Sequence, residues 1–201
     1  FAVKGSKIFA GTGNNGVAVS TNGGNNWTTT SLVNMLIRSV CIKDNAIYAM
    51  PFYEIIYRST DEGLNWTTIS VCKDYLKKLG TAGNNLLAGT YDSGIYVSTN
   101  NGSNWIHSNL NTHEVTDFAV YGSKVLAATG NGFYASSDSG LNWSLFGPDG
   151  VGINSIAVNG NNIYAGSYYA MFVSSDGGNS WRKDSVPFRQ ANSIYAKDNI
   201  L

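Results

Sequence analysis

The chain has 201 residues, enough for one sizeable core, with Lys+Arg and Asp+Glu both at 13 and a formal net charge of zero. Charged residues make up only 13%, so there is no basic footprint for nucleic acid and no polybasic face for a membrane surface. No apolar run is long enough to span a bilayer, and membrane insertion is not expected. The chain opens with Phe1 inside a strand-like pattern and shows no leader-like segment. The expectation is that both ends are cut or processed.

In chain order, five octapeptides line up: Ser20 to Trp27, Ser59 to Trp66, Ser98 to Trp105, Ser136 to Trp143 and Ser174 to Trp181. They use all five tryptophans, spaced 39, 39, 38 and 38 residues apart, a period that marks an internal repeat. Two short β-patterned runs precede each octapeptide, as in Phe118-Ala-Val and Lys124-Val-Leu-Ala-Ala-Thr129. A third run enters it, such as Gly94-Ile-Tyr-Val-Ser98, and a fourth leaves it after the Trp, such as Trp27-Thr-Thr-Thr30. Four short strands per repeat of about 40 residues, with no helical period between them, predict an all-β fold of four-stranded antiparallel propeller blades. The strands are called A to D. The expected blades are residues 1–35, 36–75, 76–114, 115–152 and 153–190. Residues 191–201 are expected to start a sixth, with Ser193-Ile-Tyr-Ala196 as its strand A and Asn199-Ile-Leu201 as the beginning of its strand B. Five repeats plus this start predict part of a larger ring, whose unclosed edge blades would invite self-association.

Each octapeptide reads as the turn between strands C and D. Its third residue, Asn22, Asp61, Asn100, Asp138 or Asp176, is expected to accept backbone N–H groups about two residues on. Gly24, Gly63, Gly102, Gly140 and Gly178 supply the positive φ that the turn needs. Trp27, Trp66, Trp105, Trp143 and Trp181 are expected to cover the apolar gaps between blades, with the indole N–H on a backbone acceptor. These are scaffold roles. The Asp-x-Asp-x-Asp-Gly ligand pattern of a calcium loop is missing, His107 and His113 are too few for a histidine metal site, and no cofactor fingerprint is present. No metal or cofactor is expected. Cys41 reads as a small buried apolar residue and Cys72 falls in a connecting segment. The disulfide-dense signature of small secreted domains is absent.

The Ser-x-Asp-x-Gly-x-x-Trp motif resembles the Asp-box, or BNR, repeat of sialidases. Similar repeats occur in xyloglucanases, the sortilin-type receptor domain and the photosystem II assembly factors. The resemblance covers the whole chain and implies a β-propeller, but it says little about activity, because such scaffolds host enzymes, receptors and assembly factors alike. It implies a secreted, extracellular or cell-surface protein, with the periplasm as an alternative. In a propeller the B–C loops and D–A connections share the face where binding usually occurs. Here that face is expected to carry Arg38, Phe52, Tyr53, Glu54, Tyr91, Asp92, Asp117, Tyr168 and Tyr169, aromatic residues beside a few charges that suit a protein or glycan ligand. Lys73, Asp74, His113, Glu114, Asp149 and Arg189 are expected near the same rim. A sialidase-like site would need three arginines to grip a carboxylate and a Tyr–carboxylate nucleophile with an acid. The arginines are Arg38, Arg58, Arg182 and Arg189. Arg58 and Arg182 fall on outer strands, so this segment does not assemble the triad, and no catalytic residue is assigned. The reading is a non-catalytic binding or structural propeller. The alternative is a glycan-active hydrolase of the sialidase or xyloglucanase type, with Glu54, Asp92 and Asp117 as the carboxylates that could approach the axis.

Overall fold

A computed structural model of the chain describes residues 1–52, 54–70, 74–185 and 193–196. Among the described residues there is no helix, and twenty strands form five four-stranded antiparallel sheets, each in sequential order A-B-C-D. The first sheet holds β1 Ala2–Lys4, β2 Lys7–Gly11, β3 Val17–Ser20 and β4 Thr28–Thr29. The second holds β5 Ile37–Lys43, β6 Ala46–Pro51, β7 Ile55–Ser59 and β8 Thr67–Ser70. The third holds β9 Leu76–Ala82, β10 Asn85–Thr90, β11 Ile95–Ser98 and β12 Ile106–His107. The fourth holds β13 Val115–Tyr121, β14 Lys124–Thr129, β15 Gly132–Ser136 and β16 Ser144–Asp149. The fifth holds β17 Ile153–Asn159, β18 Asn162–Ser167, β19 Ala170–Ser174 and β20 Arg182–Ser185. The expected sixth-blade strand at Ser193–Ala196 has no strand structure, and Asn199–Leu201 lie outside the described residues.

The chain divides into two compact units, Phe1–Thr90 with Tyr96–Ile106, and Tyr91–Ile95 with His107–Leu201. In the first unit, β6 and β10 are buried at every residue; β6 packs with Ile47 and Ala49 toward the first sheet and with Tyr48 and Met50 toward the third. Phe9, Val17, Ile37, Val40 and Ile47 fill the space between the first and second sheets. Tyr48, Met50, Ile56, Leu76, Leu79 and Leu86 form a second cluster, between the second and third sheets, against which Cys41 packs. Burial pushes the Cys41 thiol up to about 12. In the second unit, Leu126, Phe133, Ile153, Ile163 and Phe172 make the core of the fourth and fifth sheets.

The repeated octapeptide builds the C–D turn with one hydrogen-bond pattern. The buried Ser136 hydroxyl donates to Asp138 Oδ1 at 2.7 Å and accepts the Gly140 N–H at 2.9 Å. Asp138 Oδ1 then accepts the Asn142 N–H at 2.9 Å. Asn22 and Asn100 accept the N–H groups of Asn26 and Asn104 in the same way, at 2.9 and 2.8 Å. The side chain thus reaches four residues on, not two as expected. Two consecutive positive-φ residues, such as Ser139 at 62° and Gly140 at 92°, curl the backbone back toward Asp138 as a type I′ turn does.

The turns also join sheets within each unit. Gly63 sits against Thr30, and its carbonyl accepts the Ser31 N–H at 3.0 Å. In the second unit Asn109 grips the backbone of Trp143, accepting its N–H at 2.7 Å and donating to its carbonyl at 3.1 Å. The tryptophans are not equally covered. Trp143 is 6% exposed and Trp27 44% exposed. Four indoles donate to the Gly carbonyl of their own turn, as Trp143 does to Gly140 at 2.8 Å. Trp181 instead donates to the Phe146 carbonyl at 3.3 Å; the Phe146 ring occupies the place over Gly178 that the indole takes in the first three turns, and the Trp181 ring lies edge-on to Phe133.

Candidate functional site

In the first unit the B–C loop of the first sheet is tied to the connection that follows strand D. Thr12 N–H and Oγ1 both donate to the Gly16 carbonyl, closing the loop. Gly16 and Val17 N–H then donate to the Met35 and Leu32 carbonyls, at 2.9 and 3.0 Å, and Ile37 N–H returns to the Thr12 carbonyl at 2.9 Å. This lacing requires glycine at 16: φ is +72°, and a Cβ there would stand 1.8 Å from the Leu32 carbonyl oxygen. Asn34 turns the connection at φ 59°, a conformation Asn tolerates better than most residues. Met35 and Leu36 are thereby fixed at the rim.

The second sheet supplies the opposite wall. Ile37 pairs with Pro51 and Ser39 with Met50, leaving Arg38 as the extra residue of a β-bulge. Bulges re-aim side chains, and the Arg38 guanidinium lies over the Phe52 ring, 4.1 Å from its centroid, a cation–π contact. Between the walls lies a cavity of about 560 Å³, lined by Met35, Leu36, Pro51, Phe52, Ile55 and Tyr57 with Asn14 and Asn34 at the rim. Leu36, Phe52 and Ile55 are exposed at 43, 46 and 39%, so this apolar lining faces solvent.

The structure therefore brings together Arg38 and Phe52 of the expected binding residues, with Glu54 exposed nearby in sequence. Tyr53, Cys72, Lys73 and Arg189 lie outside the described residues. In the second unit, Tyr168 and Tyr169 are exposed, with ring centroids 6.3 Å apart. Tyr91 is half-buried and Asp92 exposed. Asp117 serves the scaffold: its Oδ2 accepts the Ile156 N–H of the next sheet at 3.0 Å. In the first unit Ser39 Oγ accepts the Leu79 N–H at 3.1 Å, from the equivalent position. Among the described residues no three His, Cys, Asp or Glu side chains cluster as metal ligands.

Sequence reasoning missed Met35, Leu36, Ile55 and Tyr57. The signal was a departure from the repeat. Ile55 stands where the other repeats carry Gly16, Gly94, Gly132 and Ala170, and Leu36 stands where the repeat at β13 carries Glu114.

Among curated proteins none matches the sequence. Solved structures do match in fold. YCF48 bound to D1 peptide superposes with a TM-score of 0.66 at 19% identity, over 91% of this chain and 66% of that one. The GH74 enzyme of Niastella koreensis gives 0.69 at 16% identity, over 89% and 34%. The extracellular domain of the one component system BT4673 from B. thetaiotaomicron gives 0.75 at 14%, over 97% and 29%. The chain thus spans about two thirds of the first protein's length and about a third of the others, and at these identities the likeness speaks to the fold. Residues 3–118, more than half of the chain and including every residue that lines the cavity, match the family described as the DUF6242 beta propeller domain; the chain belongs to that family.

Proposed function

We propose that the chain is a non-catalytic binding propeller, secreted or at the cell surface, that takes an apolar anchor of a protein partner into the cavity between Leu36 and Ile55. The carrying observation is the apolar lining of that cavity on the B–C loop face, with Arg38 stacked on Phe52 at its edge. Aliphatic walls suit a partner's Leu or Phe side chain, and a guanidinium at the edge suits a neighbouring carboxylate. Sugar rings favour flat aromatic faces, which the Tyr168–Tyr169 pair offers, so a glycan contact there is the second reading. Asp117, one of the carboxylates a hydrolase would use, is engaged with a backbone amide, which supports binding over hydrolysis. YCF48 carrying a peptide and the extracellular placement of the BT4673 domain are consistent with this role.

The test is to pan the full chain against a random peptide display library and a glycan array, with Phe52→Ala and Tyr168→Ala beside wild type. Peptides with an apolar anchor should be enriched by wild type and by Tyr168→Ala, and lost by Phe52→Ala. Retention of glycans alone, sensitive to Tyr168→Ala, would transfer the function to the second reading.

A further inference from the structure

Arg58 breaks the repeat on strand C. The equivalent residues are Val19, Val97, Ala135 and Val173, all apolar, since this position precedes the buried Ser of the turn. In the second sheet the position pairs with Thr67, whose hydroxyl donates to the Arg58 carbonyl at 3.2 Å. The Arg58 Nε is shut off from solvent with no acceptor among the described residues. A buried donor without a partner is costly and calls for an explanation.

The surroundings supply one. Arg58 lines a polar cavity of about 340 Å³ with Thr67, Thr68 and Ile69 of the second sheet and Asn101, Gly102 and Ser103 of the third turn. Gly102 brings the turn close, as a Cβ there would stand 2.9 Å from Ile69 Cδ1. The side-chain amide oxygen of Asn101, Oδ1, is occupied, accepting from the buried Lys43 ammonium at 2.7 Å, and Lys43 is itself paired with Asp44 at 2.7 Å. Among the described residues no carboxylate lines the cavity. The Arg58 guanidinium, with the Ser103 hydroxyl on the facing turn, gives the cavity donors and no anionic side chain.

We propose that this cavity is an oxyanion site for a sulfate or phosphate group, gripped by the Arg58 guanidinium and steadied by the Ser103 hydroxyl. A planar guanidinium offers paired donors that match such oxygens. The site is separate from the apolar cavity and independent of the partner proposed for it.

The experiment titrates the full chain with inorganic sulfate, inorganic phosphate and glucose 6-sulfate against chloride at matched ionic strength. The readouts are melting temperature and the Arg58 Nε–Hε resonance by NMR. Wild type should show a saturable rise and a shift of that resonance at millimolar anion. Arg58→Val, which restores the residue type of the other repeats, should fold, melt no lower than wild type in chloride, and lose the saturable response. Ser103→Ala, at a turn position that already varies among Asn25, Leu64, Leu141 and Asn179, should weaken apparent affinity roughly 3- to 10-fold. Tighter binding of the sulfated sugar identifies an ester as the source; equal or weaker binding identifies the free ion. A non-saturating response that is the same in wild type and Arg58→Val, the general salting effect of sulfate, would overturn the site.

Discussion

Asp138 holds the backbone N–H of Asn142 on its Oδ1 at 2.9 Å, and Asn22 makes the same bond to Asn26 at the same length. The turn needs an acceptor oxygen there, and a charge is optional. The demanding residue is the serine two positions earlier. Ser136 is 1% exposed and is the acceptor for the buried Gly140 N–H. Ser136→Ala should therefore cost about 1–3 kcal/mol, the penalty for stranding a buried donor, whereas Asp138→Asn should be nearly neutral. Urea denaturation of the two variants checks the order, and a larger loss from Asp138→Asn would show that the carboxylate charge matters after all.

Stability should fall in acid through these same turns. The Asn65 backbone N–H holds the Asp61 carboxylate below its ordinary range, and the Asn142 backbone N–H does so for Asp138. The Ser180 hydroxyl, followed by the Ser180 N–H, brings Asp176 to about 2. The hydrogen bond and charge of Lys7 lower Glu62. A depressed carboxylate contributes stability above its unfolded pKa and loses it as pH falls through the folded one. Melting temperature should thus stay level down to about pH 4 and decline from there toward pH 2. Asp176→Asn should shrink that decline, since Asn does not titrate. A melting temperature that climbs on acidification would contradict the assignment.

Truncation of the turn tryptophans should separate them by coverage. Trp143 is 6% exposed, donates to the Gly140 carbonyl and has Phe118 at 6.3 Å between ring centroids. Trp143→Ala should cost about 3–5 kcal/mol. Trp27, at 44% exposure, loses much less packing, and its alanine variant should cost under about 2 kcal/mol. Equal losses in chemical denaturation would mean that the first indole is covered in solution.

The architecture was legible because two independent signals coincide, the Trp period and short strand runs with Gly and Asn turns between them. Register was not legible. Arg38 is a bulge residue only because Ile37 and Ser39 pair with adjacent residues, Pro51 and Met50, and no local propensity announces that skip. The positive φ of Glu62 and Ser139, at 63 and 62°, was likewise hidden, since neither residue type signals that conformation as Gly does. Ile55 and Arg58 were written in the sequence as departures from the repeat, but their meaning required knowing which strand face each one occupies. The Ile156 N–H that Asp117 accepts on its Oδ2 was likewise hidden, since it comes from a strand 39 residues on.

Ile55 offers the sharpest test of the apolar cavity. The repeats place Gly16, Gly94, Gly132 or Ala170 at this point, so the backbone accepts a small residue there. Ile55 pairs with Ser70 across β7 and β8, and its side chain is 39% exposed. Ile55→Ala removes little buried area and should change stability by less than about 1 kcal/mol. It should nonetheless lower one wall of the cavity beside Phe52. The dye 8-anilino-1-naphthalenesulfonate pairs an apolar ring system with an anionic group, matching the lining of Leu36, Phe52 and Ile55 and the guanidinium of Arg38 at its edge. Wild type should enhance the dye's fluorescence, Ile55→Ala and Leu36→Ser should reduce the enhancement several-fold, and Tyr168→Ala should leave it unchanged. If Tyr168→Ala abolished the signal while Ile55→Ala preserved it, the apolar surface open to ligands would belong to the tyrosine pair of the fifth sheet, and the cavity between the first two sheets would lose its standing as the binding site.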